Sequence, residues 1–243
     1  HFNILYYKNM KFSNNLIKAK FVKRYKRFFS DHILENGQLV TAHCPNTGAM
    51  TGVAKEGVTS WLSESDNPKR KLKWTWELTQ ENDTIVGVNT HNPNKIIQEA
   101  INNKEIKELL NYETLKREVK YGVNSKIDIF LQDKKKVDCY VEIKNVHLSR
   151  KKGLAEFPDG ITSRGTKHLK ELTIVAQNGG RAVMLYLIQR NDCNYFKIAE
   201  DIDIEYGKAF LTALNAGVEV ICIDTILNTS GIDIGKKVKL LNN

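Results

Sequence analysis

The chain has 243 residues, with 37 Lys and Arg against 28 Asp and Glu, a formal net charge of +9 and 41% hydrophobic residues. That length and apolar content exclude a disordered tail and suit one large domain or two modest ones, while the positive balance favours polyanionic partners such as nucleic acid. Part of the Lys excess can also come from an overall Asn- and Ile-rich composition.

No apolar run approaches the roughly 20 residues of a membrane span, and no basic region, apolar core and cleavage site opens the chain. A cytoplasmic protein with no membrane partner is therefore expected. Met10 reads as a start, so residues 1–15 are set aside as an N-terminal extension outside the core. From Leu16 to about Thr79 the signals are short and strand-like: LIKAKFVKRYKRFF, QLVTAH, VTSWL and KLKWTWEL, punctuated by NG, PNTG and SDNP. Short strands between turn signals predict a small OB-like barrel over residues 16–82. Residues 83–243 read as a second domain. It opens with one helix or two short ones between Asn92 and Leu110, where Pro93 sits near the start and Ile96, Ile97, Ala100 and Ile101 recur at helical spacing. Strands are predicted near Leu115–Lys120, Lys126–Leu131 and Asp138–Val146, the last two joined by QDKKK. A helix from Thr166 to Gln177 ends at Asn178-Gly179-Gly180. RAVMLYLI and VEVICI read as buried strands flanking a helix at Glu205–Asn215.

Residues 125–146, SKIDIFLQDKKKVDCYVEIKNV, carry charge within strand-like runs. Alternation puts Glu142 and Lys144 on one face and Val141 and Ile143 on the other. Taken alone, such a pair is compatible with the wet face of a strand. An antiparallel hairpin, however, brings Asp128 to the same end of the sheet, and two carboxylates meeting there repel unless a cation bridges them. A hard, oxygen-preferring ion such as Mg²⁺, or Mn²⁺ in its place, suits that need, and with a nearby Lys it is the apparatus of phosphodiester hydrolysis.

The spacing D-x13-E-x-K on an αβββαβ order resembles the PD-(D/E)XK nuclease superfamily. The longer strings TAHCPNTGAMTG, NPKRKLKWTWEL, VGVNTHNPN, YVEIKNVHL and FPDGITSRGTKHLKEL, in that order, resemble the sugar fermentation stimulation protein A family from about Leu16 to beyond Val220. The resemblance implies an α/β chain with an N-terminal OB-like barrel and a C-terminal restriction-endonuclease-like domain that binds DNA and acts on DNA or RNA. It implies metal ligands at Asp128 and Glu142, aided by the backbone carbonyl of Ile143, with Lys144 as catalytic lysine and Glu118 as an additional acidic position. The Pro that commonly precedes the first Asp of the pattern is absent here, where Lys126-Ile127 stand instead. A one-residue error in hairpin register would turn Asp128 to the other face.

Other residues fit a nucleic-acid surface. Arg24, Lys26 and Arg27 surround Tyr25, and Lys69, Arg70 and Lys71 precede Trp74 and Trp76. Cations track phosphates and aromatic rings stack bases, although core packing is a rival role for the two tryptophans. Arg164, Lys167 and His168 begin a helix that can line the same cleft, or simply form its hydrophilic face. Asp159, in the turn Phe157-Pro158-Asp159-Gly160, could approach the metal. His43 and Cys44 in TAHCPNTG lack a third partner at a defined spacing, so a structured turn is expected there. The four cysteines, Cys44, Cys139, Cys193 and Cys222, show no zinc spacing and read as reduced thiols. The rival to a nuclease is a non-catalytic DNA-binding regulator of sugar (maltose-type) metabolism genes. A homodimer is the assembly to test.

Overall fold

The computed structural model describes residues 9–122 and 125–241. The first sheet comprises β2 (Ile17–Tyr25), β3 (Phe29–Leu34), β4 (Leu39–His43), β5 (Thr59–Glu64), β6 (Trp74–Glu81) and β7 (Thr84–Gly87), after a short β1 (Met10–Lys11) that belongs elsewhere. It closes because β4 pairs parallel with β6 at Ala42↔Trp74 and His43↔Thr75, while β2 pairs with both β3 and β5. The result is a five-stranded OB barrel carrying β7 as an added strand. Its centre is Trp76, fully buried and stacked on Phe21 with ring centroids 4.7 Å apart. Burying such a ring contributes on the order of 1.5–3 kcal/mol.

Three features differ from the sequence reading. LIKAKFVKRYKRFF is a hairpin rather than one strand: it turns at Lys26 and Arg27, whose φ angles are +44° and +65°. No Gly or Asn marks this turn, so its usual signal is missing. The first sheet runs to Gly87, past the expected 82/83 boundary, because β7 pairs with β6. Finally, Asn9 to Lys11 are part of the second domain rather than an extension outside the core. β1 pairs with the C-terminal β16 (Gly231–Lys237), Met10 is buried, and the Asn9 side chain accepts from the Ile234 N–H at 2.8 Å. Residues 1–8 of that expected extension lie outside the described residues.

The second domain begins with α1 (Asn92–Asn102), which has Pro93 in its first turn, and a single 3-10 turn at Lys107–Leu109. Then follow β8 (Thr114–Tyr121), β9 (Ser125–Asp133), β10 (Lys136–Val146), β11 (Leu148–Lys151), β12 (Leu154–Phe157), α2 (Ser163–Gln177), β13 (Arg181–Ile188), β14 (Tyr195–Ile198), α3 (Ile204–Asn215), β15 (Glu219–Leu227), β16 and β17 (Lys239–Leu240). The main sheet has the order β1-β16-β15-β13-β10-β9-β8, parallel at β10–β13–β15 and antiparallel outside that centre. α1 covers one face through Ile96, Ile97 and Ala100, and α2 and α3 cover the other through Leu169, Leu172 and Phe210. With both faces covered, β13 is buried from Ala182 to Ile188, which is why RAVMLYLI is apolar without alternation. A smaller sheet of order β11-β12-β14-β17 was not predicted; its strands are two to four residues long, too short to show a period.

Candidate active site

The site is built where β9 and β10 separate. Their ladder holds through Val141↔Ile129, and beyond it the Ile143 N–H, which would continue the ladder, donates instead to Asp128 Oδ2 at 2.8 Å. A strand residue directs its N–H and C=O to the same side, so the Ile143 carbonyl faces this gap too. The other oxygen of Asp128 accepts from Asn94 Nδ2 of α1 at 2.8 Å. Barrel contacts fix α1 in turn. Buried Glu77 on β6 accepts from Asn89 Nδ2 at 2.8 Å and Asn92 Nδ2 at 3.1 Å, which ties the strings KWTWEL and VGVNTHNPN together.

Glu142 is 2% exposed. Its Oε1 accepts from Lys144 Nζ at 2.7 Å and contacts His168 Nδ1, while its Oε2 is buried without a hydrogen-bond partner. Arg164 Nε donates to His168 Nε2 at 3.3 Å, and His168 Nδ1 faces both Glu142 Oε1 and Lys144 Nζ, the latter at 3.1 Å. The start of α2 is set by two caps. Thr162 Oγ1 accepts from the Gly165 N–H, and Asp203, the cap of α3, accepts from the Thr162 N–H at 2.8 Å. Burial pushes the Glu142 carboxyl up, but Lys144 and His168 together outweigh it and hold it below the usual carboxylate range. Asp128 moves the other way: burial and the neighbouring Glu142 charge raise it, against the Ile143 N–H, Lys144 and Asn94. Two carboxylates driven apart in this way share one electrostatic environment.

The structure thus brings together Asp128, Glu142, the Ile143 carbonyl edge and Lys144. His168, expected on the nucleic-acid surface, is instead buried, because Glu142 and Arg164 hold it inward. Glu118 stands opposite Asp128 in the β8–β9 register, but it is exposed and its φ is +53°. Asp159 is engaged by the barrel and by His147: its Oδ2 accepts from the Met50 N–H at 2.9 Å and lies 3.1 Å from His147 Nε2. Among the described residues no three His, Cys, Asp or Glu side chains form a ready-made metal cage. The orphaned Glu142 Oε2, Asp128 and the Ile143 carbonyl form an all-oxygen set that suits a hard cation keeping several waters.

A cleft of about 780 Å³ abuts this cluster and runs between the two domains. Its wall includes Asn94, Ile143 and Arg164 on one side, and Arg27 and residues 46–49 of the barrel on the other. The hairpin turn at Lys26 and Arg27, His43 and the loop carrying Lys69, Arg70 and Lys71 all lie at one end of the barrel, since Phe29↔His43, His43↔Thr75 and Glu64↔Trp74 are ladder partners. Lys26, Arg27, Lys69, Arg70 and Lys71 are exposed. Arg24 instead donates to the Gly48 carbonyl at 2.7 Å, Lys167 pairs with Glu171 at 3.8 Å, and Trp76 is core. Sequence reasoning missed Asn94 and Asn46 as site residues; their amides carry no pattern of their own.

A family model described as the SfsA N-terminal OB domain matches residues 22–88, and one described as the sugar fermentation stimulation protein RE domain matches residues 91–231. The chain is 49% identical over 231 residues to a sugar fermentation stimulation protein homolog of Maricaulis maris, covering 95% of this chain and 98% of that one. This chain belongs to the sugar fermentation stimulation protein family. Another family member, from Paramagnetospirillum magneticum, is 50% identical, with 93% and 95% covered. The solved structure of Pyrococcus furiosus SfsA in complex with Ca²⁺ superposes with a TM-score of 0.88, covering 98% of this chain and 100% of that one at 23% identity, so the SfsA fold extends over both domains.

Proposed function

We propose that this family member is a metal-dependent nuclease that binds DNA or RNA on its OB barrel and hydrolyses phosphodiester bonds at the β9–β10 gap. The observation that carries the reading is Glu142: a buried carboxylate with one oxygen unpartnered, beside a second carboxylate and a lysine. Asp128, Glu142 Oε2 and the Ile143 carbonyl would hold Mg²⁺ or Mn²⁺. When bound, the ion supplies phosphoryl polarisation and acidifies a water. The Ca²⁺ in the Pyrococcus furiosus SfsA complex supports a site for an oxygen-preferring divalent ion.

The chain's own residues have separable tasks. Asn94 and the Ile143 N–H orient Asp128, and His168 orients Glu142. The Lys144 ammonium sits at the carboxylate, placed to orient an attacking water and to offset charge developing on the phosphoryl oxygens. Arg164, exposed at the cleft wall, is placed for a substrate phosphate. The relatives' name favours a second reading, a DNA-binding regulator of sugar metabolism with no cleavage.

The deciding experiment compares wild type, Asp128→Ala and Lys144→Ala on labelled single- and double-stranded DNA and RNA with Mg²⁺ or Mn²⁺. Cleavage should fall at least about a hundredfold in both variants while binding persists. Equal residual cleavage in all three proteins would mean a contaminant and leave the non-catalytic reading as the better one.

A further inference from the structure

The cleft between the domains has the volume of a small-ligand site, within the range of about 300–1,000 Å³. That space takes roughly one or two unstacked nucleotides rather than a paired helix. Its mouth on the barrel side carries Phe28, a large apolar side chain 43% exposed at the tip of the β2–β3 hairpin. Phe28 begins an aromatic row: its ring stands over His43 with centroids 6.2 Å apart and planes 25° apart, and His43 is 6.1 Å from His91. The backbone presents Phe28 outward because Lys26 and Arg27 take left-handed φ angles immediately before it. Exposing a phenylalanine on a strained turn is costly without a partner, and base stacking is the use that a nucleic-acid-binding barrel offers.

Deeper in the same cleft stands Asn46, 2% exposed. The Gly48 N–H donates to its Oδ1 at 2.9 Å, which fixes the amide orientation and leaves Nδ2 buried with no hydrogen-bond partner. An unmet buried donor of this kind costs free energy until an acceptor reaches it. Arg27 and Arg164 flank the cleft from opposite domains. A stacking ring, an unmet donor and two cations thus converge beside the carboxylate pair.

We infer that the cleft receives unpaired, single-stranded nucleic acid, with a base stacked on Phe28, an acceptor of the strand meeting Asn46 Nδ2, and phosphates held between Arg27 and Arg164. This rests on the nuclease reading only for the fate of the strand; binding in the cleft is separable from cleavage. A continuous duplex has its bases already stacked and paired and offers Phe28 nothing.

The test uses the full chain in EDTA, so that binding is read without cleavage. Fluorescein-labelled oligonucleotides of one length, single-stranded or duplex, are titrated by anisotropy, and a 2-aminopurine single strand reports stacking. The single strand should bind more tightly than the duplex, with 2-aminopurine fluorescence quenched. Phe28→Ala should lose the quench and about tenfold in single-strand affinity, the effect of one base–aromatic stack, with duplex binding unchanged. Phe28→Tyr should restore both. Asn46→Asp keeps the acceptor for the Gly48 N–H but replaces the donor with a negative charge, and should weaken single-strand binding further. Equal affinity for duplex and single strand, or a quench that survives Phe28→Ala, overturns the inference, as does wild-type binding by Asn46→Asp. Cleavage assays separate the two readings. Preferential stacking without Asp128-dependent cleavage leaves the inference standing and removes the nuclease. Asp128-dependent cleavage that is equal on duplex, with Phe28→Ala unaffected, does the reverse.

Discussion

At the scale of single residues, burial decides which polar side chains are committed to structure. His32, fully buried in the barrel, is bracketed by Ser60 Oγ at 2.8 Å and Ser30 Oγ at 2.9 Å, with Trp76 edge-on to its ring. Burial, only partly offset by Asp31, lowers its pKa from 6.5 to about 4. The folded barrel therefore refuses a proton that the unfolded chain accepts below about pH 6.5. Its stabilising effect is complete above that value and is lost as pH falls toward 4. Denaturant unfolding at pH 7 and pH 5 should differ by about 2 kcal/mol from this group, with the folded state weaker at pH 5. A His32→Gln variant should show a correspondingly smaller difference. Asp128, Glu142 and Lys144 were legible as a group because strand periodicity and their mutual spacing constrain one another. Asn94, 34 residues before Asp128, was not, since an asparagine in a helix carries no sign of the carboxylate it faces.

Between elements, the contacts that shape the site come from loops that sequence reading treated only as turns. Residues 46–50, within TAHCPNTGAM, lie against the turn carrying Asp159. A Cβ on Gly48 would stand inside contact distance of Asp159 Oδ2, on a carboxylate that is itself held by the Met50 N–H and His147. Gly48→Ala should therefore cost about 1–3 kcal/mol, seen as a lower thermal midpoint. The same change in an Asp159→Ala background should cost much less, and equal costs in the two backgrounds would show that Asp159 is not the obstacle. The β2–β3 hairpin makes a related point. KRYKRFF contains no turn residue, and the chain reverses there because barrel closure requires β3 to pair with β2 and β4 at once.

Across the whole molecule, a buried cation locks the domains. Arg190, 2% exposed just past the end of β13, donates to Glu81 of the barrel at 2.6 Å, to the His147 carbonyl at 2.9 Å, and to Asp192 through two nitrogens. Gly87 and Gln189 add a backbone bond between the domains at 2.8 Å. Arg190→Met should destabilise by about 1–3 kcal/mol, because it leaves the half-buried Glu81 carboxylate and the His147 carbonyl without their donor. Calorimetry should then resolve separate transitions for the barrel and the C-terminal domain in place of one. One surface prediction belongs here too. If Lys69 and Arg70 track phosphates of a single strand, replacing each with Ala should lower the slope of log affinity against log salt by about 0.7 for every phosphate left without its cation. An unchanged slope would remove them from the interface.

By itself the sequence determined the alternation of a short-stranded barrel with an α/β domain, and the acidic pair with its lysine, because these depend on local periodicity and spacing within one hairpin. Tertiary structure alone decided that β9 and β10 part at Asp128, that His168 faces inward to Glu142, and that TAHCPNTG, α1 and α2 enclose one cleft. Each of these is a contact between segments distant along the chain, where the partner of a buried polar group is set by packing and leaves no local pattern.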